Sequence, residues 1–254
     1  MIRGLYTAAS GMVAQQKRMD TIANNMANVN TAGFKRDETV VEAFPQLLLS
    51  RLNDPGIPGA DKGDVRPLVG GLGTGARLQA VLPIFTQGPL RQTEAPLDVA
   101  IAGNGFFVVQ TPAGEAYTRN GAFQLDEQGY LVTSAGYRVL GQGGLIRVQP
   151  GSKVVIDEQG QVTANGQPVG KLRVVTFANP QALQKLGDSL FQGTGATPLA
   201  EPVLRPGFLE QSNVNPVLEM VNMLTAMRTY EAGQKTIQAE DQLLEKAVNE
   251  VGRV

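Results

Sequence analysis

Glycine and proline divide this chain more sharply than any other feature of its sequence. Of 30 glycines, 25 fall between Gly56 and Gly207, and all 15 prolines lie between Pro45 and Pro216. Proline removes a backbone donor and clashes with the preceding turn, and glycine costs a helix interior about 1 kcal/mol relative to alanine. The two ends are therefore permitted to be long helices and the middle is not. The expected fold class is mainly β with long terminal α-helices: a central multi-hairpin β domain, and N- and C-terminal helices pairing as a coiled coil.

Both ends carry a helical pattern. Leu5, Ala9, Met12, Met19, Ala23 and Met26 follow 4-3 spacing, with Gln16 as the polar member of the same stripe. Such a narrow seam is of the coiled-coil type rather than a broad globular face. The cluster Ala8, Ala9, Ser10 and Gly11 would let a neighbouring backbone approach closely. The stretch ANNMANVNTAGFKR ends the pattern: Asn24, Asn25, Asn28 and Asn30 tolerate irregular backbone, and Gly33 offers a left-handed stop. At the other end Met223, Met227, Tyr230, Ile237, Leu244, Val248 and Val251 share a 4-3 stripe interrupted by Gln234 and Asp241. Asn215 suits an N-cap, Pro216 the first helical position and Glu219 the first turn. This helix is expected from about Pro216 to Val251, roughly 50 Å at 1.5 Å per residue. Asn-Val-Asn recurs at 28–30 and 213–215, so similar turns are expected where the first helix ends and the last begins.

Between the helices the pattern is short alternating runs bounded by Gly, Pro, Asn or Asp: VAIAG, FFVVQ, AYTR, AFQL, YLVT, YRVLG, LIRV, KVVID, QVTA and KLRVVTF. Residues 50–82 are rich in Gly and Pro and read as an extended or mobile connector, or an insertion. The expected organisation is a helical assembly segment at 1–36, the connector at 37–82, a β-rich domain at 83–211 and a second helical assembly segment at 212–254.

The chain has no Cys and no His, which excludes thiol nucleophiles, disulfides, Ser-His-Asp triads and His- or Cys-ligated zinc. A net charge of −1 gives no overall field toward nucleic acid. No apolar run approaches the roughly 18 to 20 residues that span a bilayer. The mildly apolar N-terminus continues its helical periodicity through any signal-peptide cleavage site, so no cleaved signal is expected. DEQG occurs at 126–129 and 157–160 between strand-like runs, and reads as a turn with Asp first and Gly fourth. GNGFFV at 103–108 lacks the third Gly of a dinucleotide fingerprint and reads as a tight hairpin turn feeding buried Phe106 and Phe107. GGLGTG at 70–75 lacks the ending of a P-loop and reads as a flexible loop. No catalytic, cofactor or metal residue is expected. The competing reading is a secreted carbohydrate-active or glycan-binding β domain with helical dimerisation arms, which requires facing carboxylates such as Glu115, Asp126 or Asp157.

Helices of about 25 and 36 residues, paired only with each other, leave most of their apolar surface wet, so they pack either on the β domain or on other copies, and the narrow seams favour other copies. Three segments carry a family resemblance: GLYTAASGMVAQQKRMDTIANNMANVNTAGFKR at the front, PLDVAIAGNGFFVVQTPAGEAYTRNGAFQLDEQGYLVTSAGYRVLG in the middle and FLEQSNVNPVLEMVNMLTAMRTYEAGQKTIQAEDQLLEKA at the back. Covering about half of the chain in the right order, they resemble the bacterial flagellar rod and hook protein family, closest to its distal-rod and proximal-rod types. Asp37 to Pro83 is less alike.

The resemblance implies a structural, non-enzymatic subunit of the flagellar basal-body rod. It would be exported unfolded by the flagellar type III apparatus without a cleaved signal and would assemble into a helical tube that transmits torque. Terminal segments unstructured in the free monomer would order on assembly, and the β domain would lie outside the tube. Partners would be copies of itself, other rod and hook proteins and the export apparatus, with no nucleic acid, membrane insertion or small-molecule substrate. Assembly residues carried over by position are Leu5, Met12, Met19, Asn24, Asn25, Asn28, Asn30, Gly33 and Phe34. At the back they are Asn213, Asn215, Glu219, Met223, Leu224, Met227, Arg228, Tyr230, Ile237 and Leu244. The asparagines are expected to tie backbone groups between neighbouring subunits, and the apolar side chains to fill inter-helix seams. The ending EMVNM and the Gly-rich segment lean toward the distal-rod type, with the proximal rod and a rod–hook position left open.

Overall fold

A computed structural model describes residues 2–50, 68–149 and 151–251. The chain forms two compact units. One comprises Met1–Ala23, Thr39–Val81 and Met220–Val254, the other Asn24–Glu38 and Leu82–Glu219.

In the first unit the helices α1 (Ile2–Ala27) and α2 (Pro216–Lys246) pair, with a π-type turn at Ala247–Val251 extending the second. A Cβ placed on Gly233 would lie 2.7 Å from Met12 Cγ, and one on Gly4 would lie 2.7 Å from Glu240 Oε1. Contacts that rise on one helix and fall on the other make the pair antiparallel. The inward face of α2 is Met223, Ala226, Tyr230, Gly233, Ile237, Glu240, Leu244 and Ala247. This shares Met223, Tyr230, Ile237 and Leu244 with the expected stripe, but Met227 and Val248 face outward. The small residues Ala226 and Gly233 take the alternate positions because they let α1 come close, which a larger side chain at either position would prevent. On α1 the most buried apolar residues are Ala14 and Ile22, while Leu5, Met12, Met19 and Met26 are half-buried and Ala23 is exposed.

The segment expected as a connector is a two-stranded antiparallel ribbon. Asp37–Ala43 pairs with Ala76–Pro83, and Leu47–Ser50 pairs with Leu68–Leu72. Leu47 stands opposite Leu72 and Leu49 opposite Gly70, and the Phe44 N–H donates to Gly75 O at 2.9 Å between the two stretches. GGLGTG is thus only partly loop, since Gly70, Gly71 and Leu72 belong to a strand. Paired backbone hydrogen bonds hold glycines in a strand that their own propensity would not. Residues 51–67 of the expected connector lie outside the described residues. Within this unit the Ala76 N–H donates to Ser10 Oγ at 3.3 Å.

The second unit is antiparallel β. Its largest sheet runs in the order Gln184–Gly187, Leu190–Gln192, Gly114–Thr118, Phe106–Thr111, Arg138–Gly141, Leu131–Thr133, Phe123–Leu125. A three-stranded sheet joins Val154–Ile156, Gln161–Ala164 and Gln167–Lys171. The strand Phe106–Thr111 is central and buried on both faces, as its uninterrupted FFVV run requires. Phe107 and Val109 enter one cluster with Val99, Ile101, Leu131, Val139 and Leu172. Phe106 and Val108 enter another with Tyr117, Phe177 and Phe191. Both DEQG turns form as expected. Asp126 Oδ1 accepts from the Tyr130 N–H at 2.7 Å and Asp157 Oδ1 from the Gln161 N–H at 2.8 Å, with Gly129 and Gly160 at φ 83° and 81°.

GNGFFV is a turn but not a hairpin. The preceding strand Val99–Ile101 pairs with Leu204–Pro206 instead of with Phe106–Thr111. Strands at Leu90–Gln92, Gln184–Gly187, Leu190–Gln192, Thr197–Pro198, Leu204–Pro206 and Phe208–Glu210 lie outside the alternating runs found by pattern, because most are three residues or fewer and too short to show a period.

The Phe107 side chain has no exposure and meets the Phe123 ring edge-on at 5.0 Å. Phe107→Ala is expected to cost about 3–5 kcal/mol, measured by urea unfolding of the full chain. A loss below about 1 kcal/mol would mean that the core is not built on this strand.

Candidate functional site

The segment that leaves α1 is held by buried charge. Phe34 and Lys35 lead the chain out of the helix, and the Lys35 and Glu210 side chains both have 0% exposure. The Lys35 ammonium donates to Glu210 Oε1 and, at 2.8 Å, to Thr86 O. The Gly88 N–H donates to the same carboxylate oxygen at 2.9 Å. Arg119 Nε lies 3.1 Å from Glu210 Oε2, within ion-pair distance but off the line of a hydrogen bond. That oxygen is therefore compensated by charge alone. The Arg119 guanidinium also donates to Gly105 O at 2.7 Å and Gly103 O at 2.8 Å, which ties the GNG turn to the cluster.

Burial pushes the Lys35 amine below the usual lysine range, opposed by Glu210, and acts on Arg119 in the same direction. Lys185 is lowered by burial and supported by Asp37. It sits 2.8 Å from the Asp37 carboxylate, donates to Lys35 O at 2.6 Å and lies 4.1 Å from the Phe34 ring centroid. Gly33, at φ 68°, donates its N–H to Glu210 O at 2.8 Å, and a Cβ there would stand 2.4 Å from Asn120 N. Both the conformation and the space demand glycine.

Two asparagines clamp the residues next in line. Asn25 is buried; its amide donates to Asp37 O at 2.9 Å and accepts from the Asp37 N–H at 2.8 Å. Asn213 accepts from the Arg36 N–H at 2.7 Å and donates to Ile84 O at 2.7 Å and Thr86 O at 3.1 Å. A primary amide carries both a donor and an acceptor, so it can replace a backbone partner where no strand runs alongside.

The two Asn-Val-Asn copies do not make similar turns. Asn28 bonds locally, donating to Asn24 O at 2.9 Å and accepting from Thr31, whereas Asn213 reaches across the fold. The equivalent pair is Asn25 with Asn213. Asn215 caps α2 as expected, accepting from the N–H groups of Val217 and Leu218 at 3.1 and 3.2 Å. Glu219 is buried in its first turn, and Asn24 and Asn30 are exposed.

The remaining expected residues split between two faces of the helices. Leu5, Met12, Met19, Met223, Tyr230, Ile237 and Leu244 are half-buried. Leu224, Met227 and Arg228 are exposed. Along α2, Val217, Leu218, Met220, Val221, Leu224 and Met227 are between 45% and 69% exposed, an apolar face far larger than a solvated helix needs. Pattern reading missed Lys35, Arg119, Lys185 and Glu210, since a charged residue between strands reads as solvated surface.

Glu210→Ala would leave two buried cations without their anion and is expected to cost about 3–5 kcal/mol. Lys35→Met, which leaves Glu210 with Arg119 and the Gly88 N–H, should cost less, about 1–3 kcal/mol. Thermal unfolding of both full-length variants checks this order, and the reverse order would contradict it.

Comparison with known proteins adds three family matches. Residues 5–35 match the flagella basal body rod protein family, residues 100–164 the flagellar hook protein FlgE/F/G D1 domain, and residues 205–250 the flagellar basal body rod FlgEFG protein C-terminal region. Lys35, Arg119 and Glu210 fall one in each matched segment. The chain is 39% identical over 265 residues to the flagellar basal-body rod protein FlgG of Borreliella burgdorferi, covering 98% of each chain. Caulobacter vibrioides FlgG is 39% identical over 261 residues, with 96% of this chain and 97% of the relative covered. The flagellar hook-basal body complex protein FlhO of Bacillus subtilis is 33% identical over 275 residues, covering 100% of both.

Proposed function

The chain belongs to the flagellar basal-body rod FlgEFG family, as a structural subunit of the rod and a member of the hook–basal body complex, and from that premise we propose how it assembles and where. Its partners are further copies of itself and other rod and hook proteins, met through the exposed apolar face of α2. The full-length relatives named FlgG, together with the Gly-rich segment, favour the distal rod. The route there is the flagellar type III export apparatus, without a cleaved signal. The terminal segments 1–36 and 212–254 are the assembly parts, and the β-rich region 83–211 is carried with them.

The observation that carries this reading is the unpartnered row Val217, Met220, Val221, Leu224 and Met227. Where such a patch meets a different surface on the next copy and the rotation does not close a ring, subunits keep adding and generate a tube that can transmit torque. Asn25, Gly33, Phe34, Asn213 and Asn215 serve this role indirectly. Their bonds are spent within the chain, where they fix the ends of the helices.

The protein is structural rather than enzymatic. The carboxylates required by the glycan reading have other employment: Glu115 pairs with Arg173 at 3.0 Å, and Asp126 and Asp157 hold their own turns.

Leu224→Asp is expected to leave unfolding of the free chain within about 0.5 kcal/mol of wild type, since the side chain is already exposed. Recovery in detergent-extracted hook–basal bodies should fall about tenfold or more, read by quantitative mass spectrometry against the hook subunit. Normal recovery would remove the α2 face from the assembly account.

A further inference from the structure

We propose that Met220 and Met227 are oxidation sites, and that their conversion to methionine sulfoxide keeps a free subunit out of the rod. The inference rests on the assembly role given above to the α2 face. All seven methionines, Met1, Met12, Met19, Met26, Met220, Met223 and Met227, lie in the first 26 residues or between 220 and 227, and none lies in the β-rich region. With no cysteine in the chain, methionine is its only sulfur. Met220 and Met227 are 50% and 45% exposed, whereas Met12, Met19, Met26 and Met223 are half-buried. Seven residues apart on one helix, the two exposed thioethers stand two turns apart on the same side, among Val217, Val221 and Leu224.

The oxidant is a peroxide or a hypohalous acid. The sulfur lone pair forms an S–O bond as the O–O or O–Cl bond breaks, and water, or chloride with a proton, leaves. Sulfur is oxidised by two electrons and the oxidant is reduced by two. The product is a polar, chiral group where a flexible apolar one stood.

In the free chain the sulfoxide oxygen is hydrated, so folding is undisturbed. Against a neighbouring subunit it is stripped of water beside Val217, Val221 and Leu224, whose side chains carry no donor, and a buried polar group without a partner is costly. The modification therefore acts on assembly and leaves the fold intact. Restoring the thioether by sulfoxide reduction makes the block reversible.

The test uses source cells that express only the wild-type chain or only Met220→Leu/Met227→Leu, induced with and without sublethal hypochlorous acid. Hook–basal bodies and the soluble pool are then quantified by mass spectrometry, with sulfoxide read at each methionine. Absence of the wild-type chain from basal bodies without oxidant would defeat the assembly reading itself. With oxidant, wild-type incorporation should fall about tenfold or more, while the leucine variant keeps its unstressed level. In wild-type cells alone, sulfoxide at Met220 and Met227 should be abundant in the soluble pool and depleted in the rod. Equal loss in both forms, or rods carrying these sulfoxides at the level of the pool, would overturn the proposal.

Discussion

The buried contact among Lys35, Glu210 and Arg119 is the constraint around which the β-rich unit ties the segment 24–38 to its strands. Three segments far apart in sequence bring one charge each into the buried interior. Two cations and one anion taken out of solvent are stable only when every partner is present. The cluster therefore forms completely or at great cost. Its formation brings Gly33 to Glu210 O, Arg119 to the carbonyls of the GNG turn and Lys185 to Lys35 O.

From that anchor the polar and apolar residues of the helices divide their work. Asn25 and Asn213 use both halves of their amides on the backbone of Arg36, Asp37, Ile84 and Thr86, so they are spent before any partner arrives. The apolar residues divide again. Ala226 and Gly233 let α1 and α2 approach, and the larger Leu224 and Met227 are left outside. Small residues within the pair and large ones beyond it make a helix that is satisfied on one side and unsatisfied on the other. On the assembly reading proposed above, that asymmetry is what lets the subunit add to a growing rod, since a helix satisfied all round leaves no face for the next copy.

Much of this fold is legible from residue order. Confinement of proline and most glycine to the middle permits two long terminal helices and a β region between them. FFVV announces a strand buried on both faces, and DEQG announces its turn twice. The seam of α2 is half legible: Met223, Tyr230, Ile237 and Leu244 follow from periodicity. The substitution of Ala226 and Gly233 for Met227 and Gln234 does not, because closeness of helix approach is a property of the pair. The ribbon at 37–50 and 68–83 was hidden by its glycines, which sit in strands only because the opposite strand holds them. The charged cluster was hidden for a deeper reason. Lys35 and Glu210 are 175 residues apart, and nothing local to either distinguishes it from a solvated charge. The asparagines were visible as a group, but periodicity cannot say whether an amide bonds within a chain or between chains.

Imaging the assembled rod at a resolution that shows side chains tests this division of labour most directly. The account predicts that Val217, Val221, Leu224 and Met227 are covered by another subunit, while Asn25 and Asn213 keep their bonds to Asp37 and Arg36 of their own chain. A rod in which that face of α2 stays in solvent, or in which the two asparagines bond across subunits, would contradict it.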